Sequence, residues 1–186
     1  MGIRTFLAVP AALIITAVLC SPSYGWFFDR GLEDRIHEMR SVFQRKDLSG
    51  LYRRYVNSTL RDEISNSIRE MKKDRGEGRE IARRLHFRSY SAYIDADANS
   101  IVDQFFYTML HPPARRQRPL NNVYYLKLAF FLSLLFAHCD SGMDVVKKDI
   151  SGVSAKVYYV GNNLRLVVYY VYKNGTWYLT REGLVR

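Results

Sequence analysis

Residues 164–183, LRLVVYYVYKNGTWYLTREG, decide the fold. The run is built from β-branched and aromatic residues in period-two order and is broken once, at Asn174-Gly175. Both central residues of a two-residue hairpin turn need positive φ, which Asn and Gly tolerate cheaply. Two strands joined here are therefore expected, with Tyr172 opposite Trp177 and Tyr170 opposite Leu179. Upstream, Asn162-Asn163 offers a second such turn and pairs Tyr159 with Leu166, Val157 with Val168 and Ala155 with Tyr170. A one-residue slip would put Lys156 and Ser154 on the apolar face, so the hydrophobic pattern selects this register.

The pairing sorts the side chains into two faces. Ala155, Val157, Tyr159, Leu166, Val168, Tyr170, Tyr172, Trp177 and Leu179 share the face that should meet helices. Four of these, Tyr159, Tyr170, Tyr172 and Trp177, are candidate walls of a ligand pocket, because hydroxyl and indole groups can orient a small apolar or amphipathic molecule, a lipid for example, inside an apolar lining. The alternative is that they simply fill the core. The second face carries Tyr158, Val167, Tyr169, Val171 and Tyr178 among Lys156, Arg165 and Lys173. A sheet covered on one side normally alternates to polar residues on the other, and this one does not. These five residues are thus candidates for an interface with a second copy of the chain or with another subunit, against the alternative of bare surface.

Ahead of the sheet the apolar period is helical. Phe28, Leu32, Ile36, Met39 and Phe43 trace one stripe, and Leu48, Leu51, Tyr52 and Tyr55 a second beyond the interruption at Asp47-Leu-Ser-Gly50. Thr59, with Asp62 three residues on, suits the start of a helix carrying Ile64, Ile68 and Met71. Residues 101–110 read as a further helix, capped by Asn99 or Ser100 and ended by His111-Pro-Pro113. From Val123 to Ala137 the chain is apolar nearly all round, with Lys127 inside. It is shorter than the roughly 20 residues a membrane span needs, so a helix packed on several sides at the centre of the core is expected. The fold class is α+β: helices over about 28–139 packed on an antiparallel sheet over about 143–183, in one domain spanning 26–186.

The start of the chain reads as a signal peptide. Arg4 supplies a positive start, Phe6 to Cys20 an apolar run, and Ser23 and Gly25 the small residues near a cleavage site after Gly25. Export to a periplasm or to the outside follows, an uncleaved anchor being the alternative. Cys20 is preceded by Leu19 rather than by the small residue that lipoprotein processing favours. With Cys20 removed Cys139 alone remains, so no internal disulfide is expected, and its apolar setting reads as a buried, inert thiol. The formal charge of +10 falls by one on loss of Arg4. Such an excess favours an anionic neighbour, such as a lipid headgroup or a cell-wall polymer, with nucleic acid the less expected; the interleaved charges of RKDLSGLYRRY equally suit a solvated helix face.

The segments VFQRKDLSGLYRRYVNS, VKKDISGVSAKVYYV and NLRLVVYYVYKNGTWYLTRE together resemble the nuclear transport factor 2-like superfamily. The resemblance implies a cone of helices against a curved antiparallel sheet, in a family whose members often pair through their sheets. It covers the first helices and the C-terminal sheet; residues 75–140 read as helices where many members place an early strand hairpin. A periplasmic phospholipid-carrier family is similar in the order of its elements. Some members of the superfamily resemble ketosteroid isomerase, chemistry that needs a carboxylate base and a hydroxyl donor in an apolar pocket.

Asp95, Asp97 and Asp103, near Tyr90 and Tyr93, are the cluster that such chemistry would draw on. The stretch DADANSIVD also alternates like a calcium loop, but Ser100 replaces the turn glycine and Phe106 the closing glutamate, so helix capping is the simpler reading. His37, His86, His111 and His138 show no metal spacing, and neither a nucleophile elbow nor a phosphate-binding glycine loop occurs. Asn57-Ser-Thr59 and Asn174-Gly-Thr176 match the glycosylation acceptor pattern. The expectation is an exported binding domain, leaning away from catalysis, with no cofactor and no metal. Its alternatives are an adaptor subunit of a cell-envelope or secretion assembly and an isomerase- or dehydratase-like enzyme.

Overall fold

The computed structural model describes residues 22–112 and 119–184. The expected leader up to residue 21 and the whole of the basic segment PARRQR, 113–118, lie outside the described residues. Helix α1, Pro22–Gln44, already runs through the expected cleavage point at Gly25. It turns the predicted stripe inward: Leu32, Ile36, Met39 and Val42 are buried. It ends where Lys46 takes a positive φ of 61°, with the Lys46 and Asp47 amides bonded back to Phe43 and Val42.

Asp47 then starts α2, Leu48–Tyr55, by accepting from the Gly50 amide at 2.9 Å. A Cβ on Gly50 would sit 2.1 Å from that carboxylate, so this cap depends on glycine. Asn57, rather than Thr59, caps α3, Ser58–Lys73, by accepting from the Leu60 amide. Leu60, Ile64, Ile68 and Met71 form its buried stripe. Two short helices that the periodicity did not single out follow, α4 (Gly78–Arg84) and α5 (Tyr90–Asp95). Next comes α6, Ala98–Leu110, whose cap is Asp97 rather than Asn99 or Ser100. Asp offers the same short acceptor one turn earlier and suits the positive helix end.

Helix α7, Val123–Leu134, overturns its expected place at the centre of the core. Leu128 and Leu132 are buried, but Val123, Tyr124, Leu126 and Phe130 are exposed. It packs mainly on α3, α6 and the 3-10 turn Ala137–Cys139, not on the sheet. Apolar composition told that the helix has no polar face; it could not tell how many neighbours surround it.

The sheet is an antiparallel meander in chain order: β1 (Met143–Ser151), β2 (Ser154–Gly161), β3 (Leu164–Lys173) and β4 (Thr176–Leu184). Every predicted pair is present, from Ala155 with Tyr170 to Tyr172 with Trp177. Asn162, Asn163, Asn174 and Gly175 all take positive φ, as the two tight turns demand. Two bulges interrupt the ladders, between Val145 and Lys147 on β1 and opposite Tyr169/Tyr170 on β4. Helix α1 crosses the inner face from β4 to β1, while α2 and α3 pack beside β4, where Val56 bridges Leu179. The protein is an α+β fold with its helices first and its sheet last.

Candidate functional site

The inner face is filled with aromatic rings. Tyr159, Tyr170 and Trp177 are at most 2% exposed and Tyr172 is partly buried. They fall into two groups rather than one wall. At one end the hydroxyls of Tyr159 and Tyr170 lie 3.4 Å apart, and the Tyr170 hydroxyl is 3.2 Å from Nε2 of buried His138. The same nitrogen is 3.5 Å from Sγ of Cys139, which is buried. At the other end Trp177 Nε1 donates to the Phe28 carbonyl at 3.2 Å, and the Phe28 ring meets the edge of Tyr172 at 4.8 Å. Helix α1 is thus bolted to the sheet by one indole and one ring. His138 is the member of this cluster that a search for metal spacing passes over; the signal for it is a lone polar residue inside an apolar run.

The carboxylates that suggested catalysis are held by separate partners. Asp97 accepts from the Ser100 amide at 2.7 Å, Asp103 pairs with Arg53 at 2.9 Å, and Asp95 accepts from the Ser91 hydroxyl at 3.1 Å. Tyr93 is fully buried, and burial pushes its hydroxyl well above the ordinary tyrosine range. Lys72 beside it donates to the carbonyls of Ile94 and Ala96. Among the described residues no three His, Cys, Asp or Glu side chains group as metal ligands.

The outer face of the sheet has a different chemistry. Val167 is 9% exposed and forms its apolar centre, with Tyr158, Tyr169, Val171 and Tyr178 half-buried around it. Each tyrosine has a cation close to its ring. Lys147 lies 5.4 Å from Tyr158, Lys156 and Arg181 lie 5.7 and 5.2 Å from Tyr169, and Arg35 lies 5.9 Å from Tyr178. Lys147, Lys156 and Arg181 are exposed, whereas Arg35 reaches Tyr178 from α1 with its guanidinium closer to Tyr55, at 3.9 Å, and donating to the Trp177 and Arg54 carbonyls. Lys147 is further held by Asp149 at 2.9 Å, whose hydrogen bond raises its pKa. Counting across the strands, the face presents Lys147, Lys156, Arg165, Lys173 and Arg181 against Asp144 and Asp149.

Two hollows open on this face. One of about 420 Å³ is lined by Asp149, Ser154, Lys156, Tyr169, Val171 and Thr180 among others, and the second, about 210 Å³, lies between Tyr178, Lys173 and the start of α3. Val171 contributes to both, so the two meet near the C-terminal end of β3. All five residues expected at an interface therefore lie on one surface. Compared with models of protein families, with curated proteins and with solved structures, the chain finds no match.

Proposed function

We propose that this chain is a non-catalytic adaptor that binds an acidic protein partner through the outer face of its sheet. One observation carries the reading: tyrosines with nearby cations surround an apolar centre at Val167, and a hollow opens beside it between Tyr169, Val171 and Lys156. Tyrosine and arginine around a small apolar core are the composition that concentrates binding energy at protein interfaces. Asp144 and Asp149 stand among the five cations, a mixed pattern that a protein surface of mixed character matches better than a uniformly anionic polymer does. A second copy of this chain is a poorer fit, because each face carries five cations against two acids and self-apposition brings two net positive surfaces together. Export, with a signal peptide removed after Gly25, places that partner in the cell envelope or outside it. The ligand-carrier reading draws less support, since Tyr159, Tyr170 and Trp177 occupy the space that a carrier leaves to its ligand.

The test is a photo-crosslinking amino acid at position 169 of the full chain in producing cells. The expected product is one adduct with a protein whose purified form binds the purified chain, more weakly as salt rises. An adduct of twice the chain mass, or no adduct, contradicts the proposal.

A further inference from the structure

The two hollows on the outer face of the sheet differ in charge. The one beside Tyr169 is lined by Asp149 as well as Lys156. The other, about 210 Å³ at the 173–176 turn, is lined by Arg61, Lys173, Asn174 and Tyr178 with Ser58 and Thr59, and no Asp or Glu lines it. Each of these six side chains can donate a hydrogen bond, and two of them carry a positive charge.

Cations elsewhere on this side of the protein already have an acid beside them: Arg53 has Asp103, Arg54 has Asp47 and Lys147 has Asp149. Arg61 and Lys173 differ. Among the described residues Arg61 donates to the Arg53 carbonyl at 3.2 Å and to no carboxylate, and Lys173 is exposed with no acidic partner. Two like charges that line one hollow repel, and an anion seated between them removes that cost. The size of the hollow narrows the choice. It falls below the roughly 300–1,000 Å³ in which small-molecule ligands are held, so one side chain of a docked protein fits it better than a free ligand does. A carboxylate matches the chemistry, because it only accepts hydrogen bonds and a guanidinium can hold both of its oxygens.

We infer that this hollow is the socket for an aspartate or glutamate side chain of the partner, held by Arg61 and Lys173 with the Tyr178 hydroxyl as a further donor. The inference rests on the adaptor reading and adds a direction to it: the acidic end of the partner's contact lies over the 173–176 turn, and its end of mixed charge lies over Tyr169. Tyr169 and Lys173 are four residues apart on β3, about 13 Å at 3.3 Å per residue. That exceeds the screening length of about 10 Å at 0.1 M salt, so the two ends contribute independently.

The experiment places the photo-crosslinking amino acid at position 59 of the full chain, in the same producing cells as at position 169. Thr59 is exposed in the hollow, and α3 is capped by Asn57, so the substitution should leave the fold standing. Position 59 should trap the same protein as position 169, with the linked residue beside an Asp or Glu. Arg61→Glu with Lys173→Glu should lower the affinity of that purified protein by at least about tenfold at low salt. The same change of charge at exposed Arg75 and Arg79, away from the sheet, should leave the affinity as it is. A different protein or no adduct at position 59, or equal affinity in the Arg61/Lys173 variant, overturns the inference while an adduct at 169 keeps the adaptor reading. An equal loss in the Arg75/Arg79 variant overturns it as well, because net charge alone is then being read. No adduct at 169 removes both.

Discussion

Tyr169 pairs with Arg181 across β3 and β4 while its neighbour Tyr170 pairs with Leu179, which leaves Thr180 as an extra residue on β4. Strict alternation from Trp177 and Leu179 would have sent Arg181 to the buried face. The bulge returns it to the outer face, where its guanidinium lies 5.2 Å from the Tyr169 ring, and the Thr180 hydroxyl donates to the Tyr169 carbonyl at 3.0 Å. A bulge re-aims every side chain beyond it. This one completes the cluster of cations around Tyr169.

Replacing Tyr169 by Ser and Val171 by Lys should remove two of the residues around the Val167 centre and leave the fold standing. Both side chains are only half-buried, so the loss of stability should stay within about 1–2 kcal/mol, whereas truncation of an interface anchor typically costs at least about 2 kcal/mol of binding. Chemical denaturation and partner binding on the same preparation give the two numbers.

Asp47 and Gly50 should behave as a coupled pair. Ala at an exposed helix position gains up to about 1 kcal/mol over Gly, and loss of an aspartate cap costs about 1 kcal/mol. Gly50→Ala displaces the Asp47 carboxylate, so the two effects should nearly cancel, whereas the same change in an Asp47→Ala background should stabilise by about 1 kcal/mol. Urea unfolding of the four proteins measures the coupling, and simple additivity would contradict the cap.

The buried hydroxyl of Tyr170 should contribute to stability. Tyr170→Phe breaks contacts to both Tyr159 and His138, and a cost of about 1–2 kcal/mol is expected for the buried groups it leaves short of partners. Tyr170→Leu should cost more than Tyr170→Phe, since it also removes a ring packed in the core. Thermal unfolding of the two variants against the wild type checks both costs.

Acid should weaken the helical half before it affects the sheet. The Glu80 carboxyl is held down to about 2 by hydrogen bonds from Arg83 and Arg84, against an ordinary value of 4.5. Asp74, bonded by Asn122, and Asp97, bonded by the Ser100 amide, are lowered in the same direction. Groups lowered in the folded state stabilise it fully above their unfolded pKa and lose that contribution as pH falls toward the folded one. Unfolding free energy should therefore drop between about pH 4.5 and 2, and Glu80→Gln should flatten the slope. Glu80 is one-third exposed, so solvent screening keeps its share modest.

The sheet was legible because register there is decided locally, by two turns and a period of two. Asn162-Asn163 and Asn174-Gly175 set the pairings, and a single slip would have exposed the apolar face. The bulge at Thr180 was not legible, since nothing in TREG separates an inserted residue from a strand that simply continues. Helix α7 was misplaced for the opposite reason: a helix apolar on all sides carries no mark of which side is covered. His138 escaped because its partners lie 21 and 32 residues away on β2 and β3, a distance that only the folded chain closes.

Calorimetric binding of the crosslinked partner to the wild type and to Lys156→Glu/Arg181→Glu, at low and high salt, tests the central claim most directly. The two cations flank Tyr169 without entering the core, so the variant should fold normally. The account predicts a loss of at least about tenfold in affinity at low salt and a much smaller difference at high salt, where exposed charges are screened beyond a few ångströms. Equal affinities at low salt, with the variant folded, would contradict it.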